Sequence, residues 1–276
     1  MRVLLAVALL SLLQAATLVP DPPKLCAPCE AWNRDVAPAR VFGNTWAVGT
    51  EGLSSVLVTS PEGHVLIDGA LPQSASSIDR HIRALGLDTR NVELILVSHG
   101  HYDHAGGVAA LRRFTGARVA ASPSTAAALR AGVNTPDDPP AGLGPEANAF
   151  PAVPEVEELA DGEVVRVGEI AITVHHIPGH APGSTAYTWR SCDGGACKDV
   201  AYVDSVTSVS APGFRYGDEP ERVEAFRLSL ARVAALPCDV LLAPHPSASA
   251  GKTCRTYAAD GRERLEKRLS EEAASR

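Results

Sequence analysis

The feature that most constrains this chain is a histidine-rich segment that directly follows an apolar run. Residues 92–97, VELILV, are a short aliphatic block of the kind that forms a covered β-strand. Residues 98–104, SHGHYDH, then bring three histidines and an aspartate together, and a helical pattern follows at 108–114. The cluster is therefore predicted at a strand-to-helix turn, where α/β sheets place their ligand sites.

The spacing within this segment predicts ligands for two neighbouring metal ions. His99 and His101 are two positions apart, so their side chains share one face of an extended chain. Asp103 and His104 lie where the turn begins and are predicted to point towards a second position. Neutral imidazole and carboxylate together suit zinc or, less specifically, another borderline divalent ion. Each predicted metal then needs one more protein ligand.

Two further histidines are candidates for these missing ligands. His180 lies in the Gly/Pro-rich loop 178–184, and His245 lies in the sequence APHP at 243–246; each loop directly follows a predicted strand. Rigid backbone at a strand end suits a preorganised ligand. Four other histidines are given no ligand role. His175 and His176 lie in an alternating strand, and His64 and His81 are predicted at the surface.

Length and composition exclude several classes of function. The chain has 276 residues, and 45% of them are hydrophobic, which is enough to bury a substantial core. A formal net charge of −7 argues against nucleic acid or an anionic membrane surface as the main partner. Aromatic residues make up 5% of the chain, which disfavours stacking platforms for single strands.

The N-terminus has the form of a secretory signal peptide. A basic start precedes an apolar run at 3–13 that is shorter than the ~20 residues needed to span a membrane. We predict cleavage near Ala15 or Ala16, a signal peptide at 1–16 and a mature hydrolase domain at 17–276, located in the periplasm or outside the cell. No cysteine follows the run at once, so no stable membrane anchor is expected.

Export makes the six cysteines candidates for disulfides, although sequence alone leaves their pairing open. Three close pairs stand out: Cys26 and Cys29, Cys192 and Cys197, and Cys238 and Cys254. The second pair flanks a turn-rich tip, and the third brackets His245. For the first pair, a structural disulfide is favoured over a redox or zinc-binding role because no second CxxC motif exists.

The pattern of elements predicts two facing αβ halves. Predicted strands cover 41–48, 53–60, 64–68, 92–97, 117–121, 163–167, 170–177, 186–190, 199–203 and 240–242, and predicted helices cover 76–85, 108–114, 122–131, 219–236 and 256–274. The Pro-rich segment 132–154 is interpreted as a lid or a mobile linker within one domain, and as a wall of the groove. Two such halves form a single α/β domain with a four-layer αββα sandwich.

Taken together, these motifs resemble the metallo-β-lactamase superfamily. The signature HxHxDH at 99–104, followed by His180 and His245, is specific for the superfamily but not for a substrate. Four flanking stretches are similar to the third subclass of the class B β-lactamases, a dizinc group: 43–49, 98–107, 178–185 and 238–246. The spacing of Cys238 and Cys254 also resembles the disulfide of that subclass.

The resemblance implies two zinc ions per chain and a hydrolytic reaction. It assigns one zinc to His99, His101 and His180, and the other to Asp103, His104 and His245. It further implies that a zinc-bound hydroxide attacks the amide carbonyl of a β-lactam ring, with Asp103 as the catalytic residue that orients it. No protein nucleophile is required.

The same resemblance assigns substrate contacts to the loop after the strand at 199–203. Ser205 occupies the position at which another lactamase subclass has a zinc-binding cysteine, and Thr207 resembles the hydroxyl that holds the substrate carboxylate. Asp204 is similar to the bridging aspartate of other hydrolases in the superfamily. It is left outside the predicted ligand set because this subclass closes its second site without it.

The implied protein is a secreted, monomeric β-lactamase that hydrolyses penicillins, cephalosporins and carbapenems and binds no nucleic acid. The alternative is another hydrolase of the same fold, a thioesterase or lactonase. A secreted zinc-binding protein without catalysis is disfavoured by the complete ligand set. Export and the subclass-like loops favour the β-lactamase, because the usual substrates of the thioesterases are cytosolic.

Overall fold

The computed structural model describes residues 17–275 and contains two mixed β-sheets, so the predicted signal peptide lies outside the described residues. The first sheet consists, in spatial order, of β1 (Ala39–Phe42), β2 (Thr45–Ala47), β3 (Val56–Ser60), β4 (Gly63–Ile67), β5 (Val92–Leu96), β6 (Arg118–Ala121) and β7 (Glu157–Glu158). Its strands β1 to β4 pair antiparallel, whereas β4 to β7 pair parallel.

The second sheet consists of β8 (Val164–Val167), β9 (Ile170–His176), β10 (Thr185–Asp193), β11 (Ala196–Tyr202) and β12 (Val240–Leu242). Strands β8 to β11 pair antiparallel, and β12 lies parallel to β11 at the edge.

Nine helices connect or cover these strands in the described part of the chain: α1 (Cys29–Trp32), α2 (Ala75–Ala84), α3 (Tyr102–Ala105), α4 (Val108–Thr115), α5 (Pro123–Ala131), α6 (Pro145–Asn148), α7 (Pro220–Ala234), α8 (Pro246–Ser249) and α9 (Cys254–Ala274). Proline occupies the first turn of α5, α7 and α8, where its missing N–H leaves no helical hydrogen bond unmade. No helix among residues 17–275 is long and apolar enough to cross a membrane.

Three hydrophobic clusters define the layers. In β4, Leu66 packs outward with α2 and α4, whereas Val65 and Ile67 point inward to the space between the two sheets. On the far side of the second sheet, residues such as Phe226 of α7 and Tyr257 of α9 complete a third cluster. The alternation along β4 gives each face of the sheet its own apolar layer. The predicted four-layer αββα sandwich in one domain is therefore confirmed.

The predicted strand at 41–48 is wrong in one respect, because it is a hairpin of β1 and β2. Gly43 turns the chain with a φ of 51°, and a side chain there would lie 2.5 Å from the backbone oxygen of Cys192. Glycine is suited to this left-handed turn because it lacks a Cβ. The apolar residues on both sides of the turn continue the same pattern, which conceals the break.

The Pro-rich segment 132–154 is not an unstructured linker. It contains a short 3₁₀-helix at Pro139–Leu143 and the helix α6. The backbone oxygen of Pro139 accepts a hydrogen bond from Ala211 N at 2.9 Å, and Arg222 donates to the backbone of Asp137 at 2.7 Å. These contacts fasten the segment to the rest of the domain.

All three cysteine pairs form disulfides: Cys26–Cys29, Cys192–Cys197 and Cys238–Cys254. Cys192 and Cys197 stand opposite each other in the hairpin of β10 and β11.

The prediction that His64 and His81 lie at the surface is wrong, because both are buried. His64 belongs to β4, a strand covered on both faces, and His81 lies beside the buried Ile78 and Ile82 on α2. The ring of His81 is held by the Val48 carbonyl at 3.0 Å and by a carboxylate at 2.9 Å.

Candidate metal centre

All six predicted metal ligands meet at one end of the sandwich. His99 and His101 lie between β5 and α3, and Asp103 and His104 are in α3 itself. His180 occupies the loop between β9 and β10, and His245 follows β12. The turns at the ends of both sheets thus contribute to one site, as expected for α/β folds.

The first cluster consists of His99, His101 and His180. One ring nitrogen from each lies within 4.8 Å of the others, and His99 Nε2 is 3.0 Å from His101 Nδ1. The ring centroid of His99 is 4.4 Å from that of His101 and 4.8 Å from that of His180, both edge-on. Three imidazoles at these separations have the composition and spacing of a zinc site with an open fourth position.

The second cluster consists of Asp103, His104 and His245. Asp103 Oδ2 is 3.1 Å from His104 Nε2 and 3.4 Å from His245 Nε2. His99, Asp103 and His104 also lie close enough to share an ion, with ligand atoms within 4.8 Å of one another. The two clusters are therefore adjacent, with His99 between them.

The histidines of both clusters face an oxygen with the ring nitrogen that points away from the site. The contacts run from His99 Nδ1 to Asp204 Oδ1 at 2.8 Å, from His101 Nε2 to Asp138 Oδ2 at 2.7 Å, from His180 Nδ1 to Thr207 O at 2.8 Å, from His245 Nδ1 to Gly52 O at 3.2 Å, and from His104 Nδ1 to Asp68 Oδ2 at a longer 3.8 Å.

The four contacts of 2.7 to 3.2 Å hold the ring proton on the outward nitrogen and orient the inner one as a ligand. His104 is the exception, because its buried Nδ1 has no hydrogen-bond partner among the described residues. With the ring protons held on the outward nitrogens, His99 Nε2 and His101 Nδ1 direct their lone pairs at each other across 3.0 Å. A shared cation relieves this arrangement. The donor set therefore fits a metal ion, and zinc in particular.

The protonation of the clusters differs. Burial lowers the pKa of His99 to about 4 and that of His180 to about 3, so both favour the neutral form that ligates metals. Burial also lowers the pKa of His101 and His104, but nearby carboxylates raise it by more. Asp138 raises the pKa of His101, and Asp103 raises that of His104 to about 9.

The pKa of Asp103 itself is held well below its usual range, because His104 and His245 outweigh the effect of burial. Asp103 is therefore a carboxylate, and it is the one anionic member of the two clusters.

Asp68 is a buried carboxylate near the second cluster to which the sequence reasoning assigned no role. It is fully buried and accepts hydrogen bonds from Ser98 N at 2.7 Å, Ser98 Oγ at 2.7 Å and Tyr202 Oη at 2.6 Å. Burial raises its pKa to about 6. Its φ of 62° is unusual for a residue other than glycine. A signal was present, since Asp68 follows β4, the parallel neighbour of β5.

Asp204 and Asp138 support the first cluster from outside. Asp204 contacts the outward nitrogen of His99, so it lies behind this histidine and not between the two clusters. Asp138 comes from the Pro-rich segment, whose sequence gave no indication of such a contact. The rings of His175 and His176 instead contact Thr188 and the backbone of Leu159.

A cavity of about 560 Å³ opens over both clusters. Its lining includes His101, Asp103, His180, His245, Trp32, Pro140, Leu143, Asn148, Ser205, Thr207, Lys252 and Arg264. The predicted substrate contacts Ser205 and Thr207 thus lie in the cavity wall. Trp32, which the sequence reasoning did not assign, has its ring centroid 5.1 Å from that of His245.

Comparisons with known proteins agree with this geometry. Residues 48–245 match the family model described as the metallo-beta-lactamase superfamily. The structure of the Rm3 metallo-beta-lactamase is 45% identical in sequence, covers 91% of this chain and 100% of that chain, and superimposes with a TM-score of 0.86. MEM-A1, a subclass B3 metallo-beta-lactamase from a soil metagenome library, is 40% identical over 89% of this chain and 100% of that chain, with a TM-score of 0.84.

A curated relative carries a different activity. The hydroxyacylglutathione hydrolase of Pseudomonas aeruginosa (strain LESB58) is 32% identical over 145 residues, which are 52% of this chain and 43% of that enzyme. The chain thus matches less than half of the length of that relative. The family model spans most of this chain, and both ligand clusters lie within the matched residues. The chain therefore belongs to the metallo-β-lactamase superfamily, as a hydrolase whose structural neighbours are subclass B3 enzymes.

Proposed function

We propose that this protein is a secreted dizinc β-lactamase that opens the amide bond of penicillins, cephalosporins and carbapenems. The observation that carries the proposal is the pair of adjacent ligand clusters on the floor of one cavity, the second built from Asp103 and two histidines. Likeness to Rm3 over the full length of that structure supports the β-lactam substrate.

We assign one zinc to each cluster. When bound at such paired sites, zinc lowers the pKa of water towards ~7 and polarises the attacked carbonyl. The residues of this chain supply the positioning. The outer oxygens fix the imidazole rings, and the Asp103 carboxylate accepts a hydrogen bond from the attacking water, which orients it towards the amide carbon. No side chain of this site has to act as a nucleophile.

The substrate carboxylate is assigned to the wall formed by Ser205 and Thr207, whose hydroxyls donate hydrogen bonds. Charge at the cavity rim supports an anionic substrate. Lys252 Nζ pairs with Asp260 at 2.6 Å, whereas Arg264 is exposed and makes no hydrogen bond or ion pair to another residue of the described range. A free guanidinium beside the cavity attracts a carboxylate.

The second candidate function is a thioesterase or lactonase with the same metals. It is favoured by the match to a hydroxyacylglutathione hydrolase, although that match covers 43% of the relative. Bound zinc would activate water for attack on thioesters, lactones and lactams alike. The cavity walls, and not the clusters, therefore decide between the two candidates.

The test is hydrolysis by the purified zinc-loaded protein. We expect loss of the β-lactam absorbance of a penicillin and a carbapenem, complete inhibition by EDTA, and recovery on addition of zinc. His175→Ala serves as a control, because this histidine contacts Thr188 away from the cavity. Slow turnover of every β-lactam together with fast cleavage of a thioester or lactone would establish the second candidate instead.

Export is part of the proposal and is tested separately. We expect the mature protein in the periplasm or the medium, with its N-terminus near residue 17. If the protein stays inside the cell with residues 1–16 still attached, the proposed location is contradicted. The proposed chemistry is unaffected by that result.

A further inference from the structure

One wall of the cavity is built from the same segment that holds a metal ligand. Pro140, Leu143 and Asn148 line the cavity, and Asp138, a few residues earlier, reaches behind the first cluster. Its Oδ2 lies 2.7 Å from His101 Nε2, and its side chain is 3% exposed. The contact is thus a short hydrogen bond between a buried carboxylate and a mostly buried imidazole.

We propose that Asp138 is a positioning residue that fixes the ring of His101 and thereby sets the zinc affinity of the first cluster. The inference rests on the metal site proposed above. His101 is the only member of its cluster that presents Nδ1 to the site, because Nε2 is taken by Asp138. Asp138 is the one hydrogen-bond partner of His101 Nε2 among the described residues.

The backbone around Asp138 is itself fixed. Asp138 N donates to Thr135 O at 3.0 Å, and Asp138 O accepts from Ala141 N at 2.8 Å. Pro139 and Pro140 follow, and their rings restrict the backbone further. The carboxylate therefore approaches His101 from a rigid base.

The second carboxylate oxygen strengthens the case. Asp138 Oδ1 is buried and has no hydrogen-bond partner among the described residues. A carboxylate that served only to hold its own loop would use this oxygen locally, because unpaired buried acceptors are costly. The contact to His101 is the one side-chain hydrogen bond that the structure gives Asp138.

Asp138 also differs from the other supports of the clusters. Asp204 and Asp68 lie next to strand ends in the core, and His180 and His245 rely on backbone oxygens. Asp138 instead comes from the Pro-rich segment, which supplies Pro140, Leu143 and Asn148 to the cavity wall. The metal affinity of the first cluster therefore depends on the conformation of a segment that also lines the cavity.

The test compares Asp138→Ala and Asp138→Asn with Asp137→Asn. Asp137 is a matched control, because it is the adjacent residue, has the same charge and is exposed. The readouts are the zinc dissociation constant from chelator competition and the visible spectrum of the cobalt-substituted protein, both measured without substrate. Thermal unfolding of the metal-free proteins checks that each variant folds.

We expect Asp138→Ala to weaken the tighter-held zinc of the first cluster by about 10- to 100-fold, the usual cost of losing such a partner, and to alter the cobalt spectrum. Asp138→Asn keeps an acceptor oxygen and should lose less. Asp137→Asn should match the wild type. Should the alanine variant fail to fold, the asparagine variant carries the comparison.

An alanine variant that binds zinc as the wild type does, with an unchanged cobalt spectrum, would overturn the inference and leave the proposed function standing. Lower stability of the metal-free variant without any change in zinc affinity would assign Asp138 a structural role only, which also overturns it. A wild-type protein that binds no zinc at the three histidines would instead refute the proposed function.

Discussion

The first cluster is a set of mainly neutral imidazoles closed in by carboxylates and backbone oxygens, whereas the second depends on the charge of Asp103 and is partly open. The side chain of His99 is fully buried, but that of His245 is 27% exposed. Hydrogen bonds of 2.7 to 2.8 Å support His99 and His101, while Asp68 lies 3.8 Å from His104.

From this difference we infer that the two proposed zinc sites gain their metal affinity in different ways. The first is preorganised by its supports, since hydrogen bonds fix all three of its rings. The second attracts a cation by its charge and holds it less tightly in place. We therefore expect the second cluster to lose its zinc first when a chelator withdraws zinc from the wild-type protein.

The largest expected effect comes from removing a ligand of either cluster. His101→Ala and Asp103→Asn should each reduce hydrolysis by more than the ~100-fold that the loss of a supporting residue costs. Their metal contents should differ, because Asp103→Asn leaves the three histidines intact and should retain about one zinc per chain. Metal analysis of the purified variants checks this. If Asp103→Asn retains two zincs per chain, the proposed difference between the two clusters is wrong.

Removal of Asp68 should have the next largest effect and tests how the second cluster is supported. Asp68→Ala leaves the buried Tyr202 hydroxyl and Ser98 without their acceptor, which should lower the free energy of unfolding by about 3 kcal/mol. Urea unfolding of the metal-free protein measures this. Ser60→Ala removes a buried hydroxyl that bonds only within its own turn and serves as a milder control. An unfolding free energy equal to that of the wild type would show that Asp68 is not a structural support.

Trp32 should have a smaller effect, confined to the second cluster. Its ring lies beside His245, and its backbone oxygen binds Thr50 Oγ1 at 2.6 Å and Gly52 N at 3.2 Å. Trp32→Ala should weaken zinc binding at the second cluster by less than ~10-fold, and Trp32→Phe should restore most of it. Chelator competition distinguishes the two zincs. Loss of the first zinc before the second in Trp32→Ala would contradict this assignment.

Arg264 should have the smallest effect and should leave both clusters intact. Arg264→Ala should raise the KM for a penicillin by about 2- to 5-fold, as expected for an exposed charge contact, with less effect at high salt. Arg262→Ala is the matched control, because Arg262 is exposed on the same helix but does not line the cavity. A change in zinc content, or an equal effect in both variants, would exclude a role in substrate binding.

Much of this molecule could be predicted from sequence because its signals are local. The apolar run before His99, the helix α4 after it and the loops around His180 and His245 each carry their own pattern, so the layers and the candidate ligands followed. The residue pattern also indicated the three disulfides, since each pair is close in sequence.

The supports of the ligands could not be predicted in the same way. Asp138 is 37 residues from His101 and Asp68 is 36 from His104, and neither contact leaves a periodic pattern. Asp204 was noticed only by its likeness to a bridging residue, and its actual partner is set by how the two sheets meet. His64 and His81 were misplaced because burial depends on packing that a single polar residue does not reveal.

The proposed β-lactamase function requires that the two clusters act together on a β-lactam. The most direct measurement is the rate of carbapenem hydrolysis while zinc is titrated into the metal-free protein. We predict that the rate rises until about two zincs are bound per chain and that β-lactams are cleaved faster than a thioester or lactone. The proposed β-lactamase function would be contradicted if the protein hydrolyses no carbapenem at any zinc content but cleaves a thioester or lactone rapidly.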